Sequence, residues 1–371
     1  MSARAAIARL VRRAVVVVAC LAALVSSHPK IGAAPAPAAS GDLAPPDYRA
    51  DLNAGVWVRG PNLPSPRQDA AAVTLADRVY VIGGFGQHNQ QMNTTLVWEP
   101  QVVPAPTAQA GEQRAGSRFG TWTYAAPIPE SVDHAAATVL ANYIYVAGGR
   151  IENLVTNKFW RYDAAADSWV ELPSMPVPRY GAAMQAVGAK LYVIGGAVSH
   201  ANDATSIEVF DTTTNRWSLI DRALPSGRMA FGSVVLDDKI IMVGGRDDQE
   251  RNLIGCDIYD PARNRWGLCS PLHQPRSDFG LSVVAGRLIA AGGEDLRFDR
   301  TTQTTEISES FLRGWLNGPW LPGPRHGMSP VTVGNVMWLI GGASWSGTAP
   351  STVVLRYVSP VVKVKLKGRS Q

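Results

Sequence analysis

Six short runs along the chain share one pattern of apolar and polar positions. They are VYVIGG (79 to 84), IYVAGG (144 to 149), LYVIGG (191 to 196), IIMVGG (240 to 245), LIAAGG (288 to 293) and MWLIGG (337 to 342). Each is four apolar residues stopped by two glycines, which reads as a buried strand ended abruptly. Before each doublet, a segment such as GAAMQAVGAKLYVIGG (181 to 196) reads strand, turn, strand. After it come about ten polar residues, a strand (SIEVFD, 206 to 211), a turn (TTTNR) and a strand carrying Trp (WSLI, 217 to 220). The first glycines fall at 83, 148, 195, 244, 292 and 341, a period near 50 after a longer first step. A repeat array is counted by repeat, so the chain reads as one domain of six four-stranded units. No such sheet can cover both of its faces alone, and neighbours must close around an axis. The expected fold is all-β: a six-bladed β-propeller of four-stranded antiparallel blades.

Other positions recur in step with the doublets. Trp122, Trp169, Trp217, Trp266 and Trp315 fall in the fourth strand, where a large ring fills the wedge between blades. A Tyr-Asp or Phe-Asp ends the third strand at Tyr162-Asp163, Phe210-Asp211 and Tyr259-Asp260. With the glycine doublet, these residues resemble the Kelch-repeat family of β-propellers, from residue 55 to about 358. The resemblance implies the propeller fold and a choice among peptide binding, sugar binding and, less often, catalysis.

Ring closure can be read from the ends of the array. The sixth repeat has a third strand (STVVLRYV, 351 to 358) but no Trp strand after it, whereas GVWVRGPNLPSPR (55 to 67) supplies one. Trp57 precedes Arg67 by the same ten residues that separate Trp169 from Arg179 and Trp315 from Arg325. The N-terminal strand is therefore expected to complete blade six and leave no free edge. The rival strand for this place is VVKVKLK (361 to 367).

Charge and ends refine the picture. The net charge of +5 resides in residues 1 to 50 and in a basic tail, 361 to 371; residues 51 to 360 hold 25 basic and 28 acidic residues. The propeller thus lacks an electrostatic footprint for nucleic acid. Arg12 and Arg13, the apolar run AVVVVACLAALV (14 to 25) and the small residues after it read as a signal peptide over 1 to 27, with cleavage between 27 and 38. Export to the cell surface, periplasm or medium follows as an expectation; a membrane association would need that segment retained or lipidated at Cys20. Residues 28 to 50 are a Pro/Ala-rich spacer, and blade one carries an insertion, 102 to 120. Of the cysteines outside the signal, Cys256 and Cys269 face each other in the hairpin that sets Tyr259 opposite Trp266, so a disulfide is expected in an oxidising compartment.

Candidate chemistry lies in the loops after the doublets, which propeller geometry gathers at one mouth of the channel. There Arg150, Arg246, Arg251, Arg297, Arg300 and Trp345 are candidate ligand contacts, with His134 and His326 at blade entrances as titratable groups. A second arginine set, Arg67, Arg179, Arg228, Arg276 and Arg325, precedes each doublet by sixteen residues, with Val132 in place of the sixth. Such repetition favours a role in the fold, satisfying loop carbonyls or a neighbouring acid, over the alternative of a positive collar for an anionic ligand. Copper radical oxidases share the fold, but their Tyr–Cys crosslink and copper ligands have no counterpart here, and no close-spaced His/Cys pair or phosphate loop occurs. No metal or cofactor is expected. The leading expectation is a non-catalytic module binding carbohydrate or a protein segment at the loop face. One alternative is a mutarotase or epimerase of an acidic sugar such as a sialic acid, using Glu250 or Glu294 beside Arg246 or Arg297. Another is a structural scaffold.

Overall fold

The computed structural model describes residues 55–100, 120–199, 202–220, 224–310 and 313–359. The signal segment, the spacer, most of the blade-one insertion, the basic tail and the rival closing strand lie outside the described residues.

Six four-stranded antiparallel sheets form the six blades. Blade three is typical: Ala183–Val187, Lys190–Ile194, Ile207–Asp211 and Arg216–Ile220 pair in sequence order, with Leu191 opposite Phe210 and Phe210 opposite Trp217. Alternation along the second strand feeds two interfaces. Leu191 and Val193 pack with Phe159 and Met175 of blade two, while Tyr192 and Ile194 pack with Ile240 and Tyr259 of blade four. Six apolar clusters result, one at each junction. Fourth-strand tryptophans pin the outer rims: Trp169, Trp217 and Trp315 donate their indole N–H to carbonyls of Ala126, Pro173 and Ser270 in the preceding blade, at 2.7 to 2.9 Å.

Blade six joins His326–Val333, Val336–Ala343 and Val354–Val358 to the N-terminal strand Val56–Arg59, with Trp57 opposite Tyr357. The N-terminal segment therefore closes the ring.

The glycine doublets latch each blade to the next. The second glycine of each donates its amide to the carbonyl of the following blade's residue at the recurrent arginine position, from Gly84 to Val132 through Gly342 to Arg67, at 2.7 to 2.9 Å. The first glycine has φ between 62° and 71°. At Gly341, a Cβ would lie on the Arg67 carbonyl oxygen, so both conformation and space demand glycine. The arginine side chains satisfy the strand ends of their own blades. Arg276, fully buried, donates to the carbonyls of Gly292 at 2.8 Å and Thr304 at 3.0 Å and pairs with Glu306 at 2.8 Å. Arg179 with Glu208 and Arg228 with Asp257 repeat the arrangement.

Cys256 and Cys269 form a disulfide with Cα atoms 5.0 Å apart, in the outer hairpin where Tyr259 opposes Trp266.

Candidate functional site

The channel mouth is built from three positions repeated in every blade. Two residues past the recurrent arginine stand Asp69, His134, Gly181, Ala230, Asp278 and Gly327, all at positive φ. Each donates its amide to the carbonyl of its counterpart in the preceding blade at 2.9 or 3.0 Å, so six backbone hydrogen bonds form a closed neck around the axis. Four of these residues are not glycine, and the left-handed conformation that Asp and His tolerate best is occupied by Asp69, His134 and Asp278. One residue nearer the arginine stand Gln68, Asp133, Tyr180, Met229, Ser277 and His326. These bridge to the residue after each doublet: Phe85, Arg150, Ala197, Arg246, Glu294 and Ala343. The frame repeats, whereas the side chains it presents do not.

Above the neck lies a cavity of about 490 Å³ lined by Asp69, His134, Arg150, Arg246, Glu250, Asp278, Glu294 and His326 among others. That volume is in the range of small-ligand sites. Below it, a channel runs between small first-strand residues such as Ala71, Ala136, Gly232 and Ser329.

Two polar networks occupy the mouth. In the first, Asp133 Oδ1 accepts from Arg150 Nε at 2.8 Å and lies 2.5 Å from His134 Nδ1, while Gln91 donates to Oδ2. His134 Nε2 then faces Asp69 Oδ2 at 3.5 Å. Burial disfavours the imidazolium, but the carboxylates of Asp69 and Asp133 outweigh it and hold the His134 pKa above its ordinary value. Burial raises the Asp69 carboxyl, and His134 only partly offsets it.

In the second network, Arg246 Nη1 lies 3.0 Å from Asp278 Oδ2, 3.4 Å from Glu294 Oε1 and 3.2 Å from Ser277 Oγ. Burial and the neighbouring Asp278 carboxylate push Glu294 up to about 9. Burial also raises Asp278, but Arg246 and His134, with a hydrogen bond from Glu294, bring it down to about 2. His326 Nε2 lies 2.9 Å from the Trp345 carbonyl, which can only accept, so Nε2 carries the proton. Its Nδ1 is 3.0 Å from Glu294 Oε2 but off the line of a hydrogen bond.

The sequence candidates thus divide. Arg150, Arg246, Glu250, Glu294, His134 and His326 line the cavity. Arg246 meets Glu294 rather than Glu250. Arg251 is exposed and paired with Asp247 at 2.7 Å, and Arg297 and Arg300 lie exposed over the Phe298 ring. Trp345 is 67% exposed and available for stacking, while its carbonyl holds His326. Sequence reasoning passed over Asp69, Asp133 and Asp278. Their signal was available after the recurrent arginine position: Asp69 and Asp278 stand two residues on, where three other blades have Gly or Ala, and Asp133 stands one residue on, where no other blade has an acid.

The profile of the FKB95, Kelch-repeats domain family matches residues 121–285. Kelch-like protein terF of Aspergillus terreus is 26% identical over 87% of this chain and 72% of its own length. The chain is a Kelch-repeat protein. Kelch-like protein 21 of Danio rerio is 30% identical over 70% of this chain, and Kelch-like protein 36 of Mus musculus 22% over 76%. Those matches span 45% and 36% of the two relatives' lengths, so this chain corresponds to less than half of each. The solved structure of YjhT has the same fold, with a TM-score of 0.65 at 19% identity over 80% of this chain and 96% of that one. Kelch propellers generally bind protein partners.

Proposed function

We propose that this Kelch-repeat protein is an exported binding module that takes basic side chains of a protein partner into its acidic mouth. The observation that carries the reading is the charge of the cavity. Around Arg150 and Arg246 and two histidines stand the neck acids Asp69 and Asp278 and the rim acids Asp203, Asp247, Asp248 and Glu250. Both arginines already have acid partners. Among the described residues Asp203, Asp248 and Glu250 have no cation within ion-pair distance. Burial, then Asp248 and Asp247, push the Asp203 carboxyl up to about 6. A lysine or arginine from a partner would relieve that crowding, and such complementarity governs encounter and specificity. An acidic sugar would need an unpaired guanidinium in the cavity, which argues against the mutarotase alternative. Trp345 supports a second reading, in which a neutral sugar ring stacks on its exposed face.

Export is supported by the signal-like N-terminus and by the Cys256–Cys269 disulfide, which suits an oxidising compartment. Fluorescence anisotropy with labelled lysine-rich, glutamate-rich and neutral-glycan probes tests the reading. Preference for the lysine-rich probe, weakened by Asp203→Asn and Asp248→Asn, is expected. Equal binding of the acidic and basic peptides would sink it.

A further inference from the structure

Three neck residues from three blades converge on one point. A nitrogen of His134 and one carboxylate oxygen each of Asp69 and Asp278 lie within 4.8 Å of one another, at the constriction between the mouth cavity and the channel below. We propose that this is a divalent first-row cation site, with His134 Nε2, Asp69 and Asp278 as ligands and the remaining positions open to water or to a ligand in the mouth.

Four observations carry the assignment. The first is the orientation of the imidazole. Asp133 Oδ1 takes the Nδ1 side of the ring at 2.5 Å and is itself fixed by Arg150 and Gln91, so Nε2 is turned toward the axis. A histidine that gives its other ring N–H to a carboxylate is the arrangement that orients imidazole ligands to metals. The second is Asp69. Its side chain is 8% exposed, yet among the described residues its carboxylate accepts no hydrogen bond; its nearest cationic group is His134 Nε2 at 3.5 Å. Beyond that contact, which is too long for a hydrogen bond, the buried carboxylate has unfilled acceptor capacity, and a cation between it and Nε2 would fill it. The third is the donor set: one imidazole and two carboxylates suit Zn²⁺ or Mn²⁺, whereas Mg²⁺ and Ca²⁺ prefer oxygen ligands throughout. The fourth is room. The other neck positions, Gly181, Ala230 and Gly327, present at most a methyl group, which leaves space on the open side.

A second convergence, Asp278 with Glu294 and His326, is less suited, because Arg246 stands against both of its carboxylates. In the Asp69 cluster that arginine touches only Asp278, through Oδ2, and so fixes the ligand without filling the site. The sequence hid this site because its ligands come from blades one, two and five, with no local spacing to mark them.

The test uses the full chain, stripped with a chelator and titrated with ZnCl₂ by calorimetry while its thermal midpoint is followed. One equivalent of Zn²⁺ should bind and raise the midpoint, as any ligand specific to the folded state does. Asp69→Asn, which preserves shape, and His134→Gln should each weaken binding at least tenfold and abolish the rise. His88→Ala, an exposed histidine outside the site, should change neither. Absence of saturable binding, or binding that survives Asp69→Asn in a protein that still melts cooperatively, or loss of binding in His88→Ala, overturns the assignment. Should His134→Gln fail to fold, Asp69→Asn decides alone.

Discussion

The amide of Gly342 donates to the carbonyl of Arg67 at 2.7 Å, which latches the last blade to the first by the bond that joins every other pair. The strand Val56–Arg59 completes the same blade from the other end of the chain. Closure therefore depends on both termini of the array. Trp57 is 5% exposed, packs on Tyr357 with ring centroids 5.4 Å apart and donates to Thr305 Oγ1 at 3.1 Å. Trp57→Ala should cost about 3–5 kcal/mol, typical of a buried aromatic lost from a core. Removing residues 361 to 371 should leave the thermal midpoint unchanged. Thermal and chemical denaturation of both variants check the contrast.

The recurrent arginines should behave as parts of the frame. Arg276→Ala leaves the Glu306 carboxylate, 1% exposed, without its cation and strands the carbonyls of Gly292 and Thr304. A loss of about 3–5 kcal/mol is expected, the usual result of breaking a buried pair from one side. Replacing both partners with apolar residues of similar volume should recover part of it. Arg297→Ala, exposed on a loop, should stay within about 0.5 kcal/mol of the parent. Urea midpoints of the variants decide this.

These two cases show what the sequence discloses. Periodicity alone placed the strands, the doublets, the fourth-strand tryptophans and the closing strand, because a repeated core leaves a repeated apolar signature. Arg276 was legible as structural for the same reason, since it recurs. The mouth was legible only in part. His134 and Glu294 stood out as chemistry-bearing residues in the right segments, but Asp69, the partner of His134, comes from another blade, and Asp278, the partner of Glu294, stands at the other end of a strand hairpin of the same blade. Only the assembled ring sets Asp278 beside Asp69 and His134. Arg246 was singled out for Glu250, four residues away, but its guanidinium reaches Glu294 of the next blade. Arg297 was grouped with Glu294 by sequence, yet lies out over Phe298. Loop side chains follow local backbone geometry, which no repeat signature records.

The disulfide should stabilise one blade and leave the mouth alone. Cys256 and Cys269 close a loop of separation 13, for which the chain-entropy estimate is about 3 kcal/mol. The hairpin register already holds the two strands together, so the double variant Cys256→Ala, Cys269→Ala should lose no more than that. Its affinity for a basic peptide should match the parent. Mass spectrometry with and without reductant establishes the bond, and anisotropy measures the affinity.

Ligand binding at the mouth should depend on pH through Asp203. Burial and its acidic neighbours hold this carboxyl protonated up to about 6, against an ordinary value of 3.8. Between those two values the unfolded chain is ionised while the folded chain keeps its proton. Stability from this group is therefore full below the lower value and is lost as pH rises through the upper one. The side chain is about half in water, so screening keeps that loss small. Binding runs the other way. As pH rises through 6, Asp203 gains the charge that attracts a basic side chain, and affinity for a lysine-rich probe should increase between about pH 5 and 7. Asp203→Asn should flatten that part of the profile while leaving any contribution of His134, which loses charge at higher pH. Anisotropy titrations of parent and variant at pH 5, 6 and 7 measure both slopes, and identical profiles would rule out Asp203 as the titrating group.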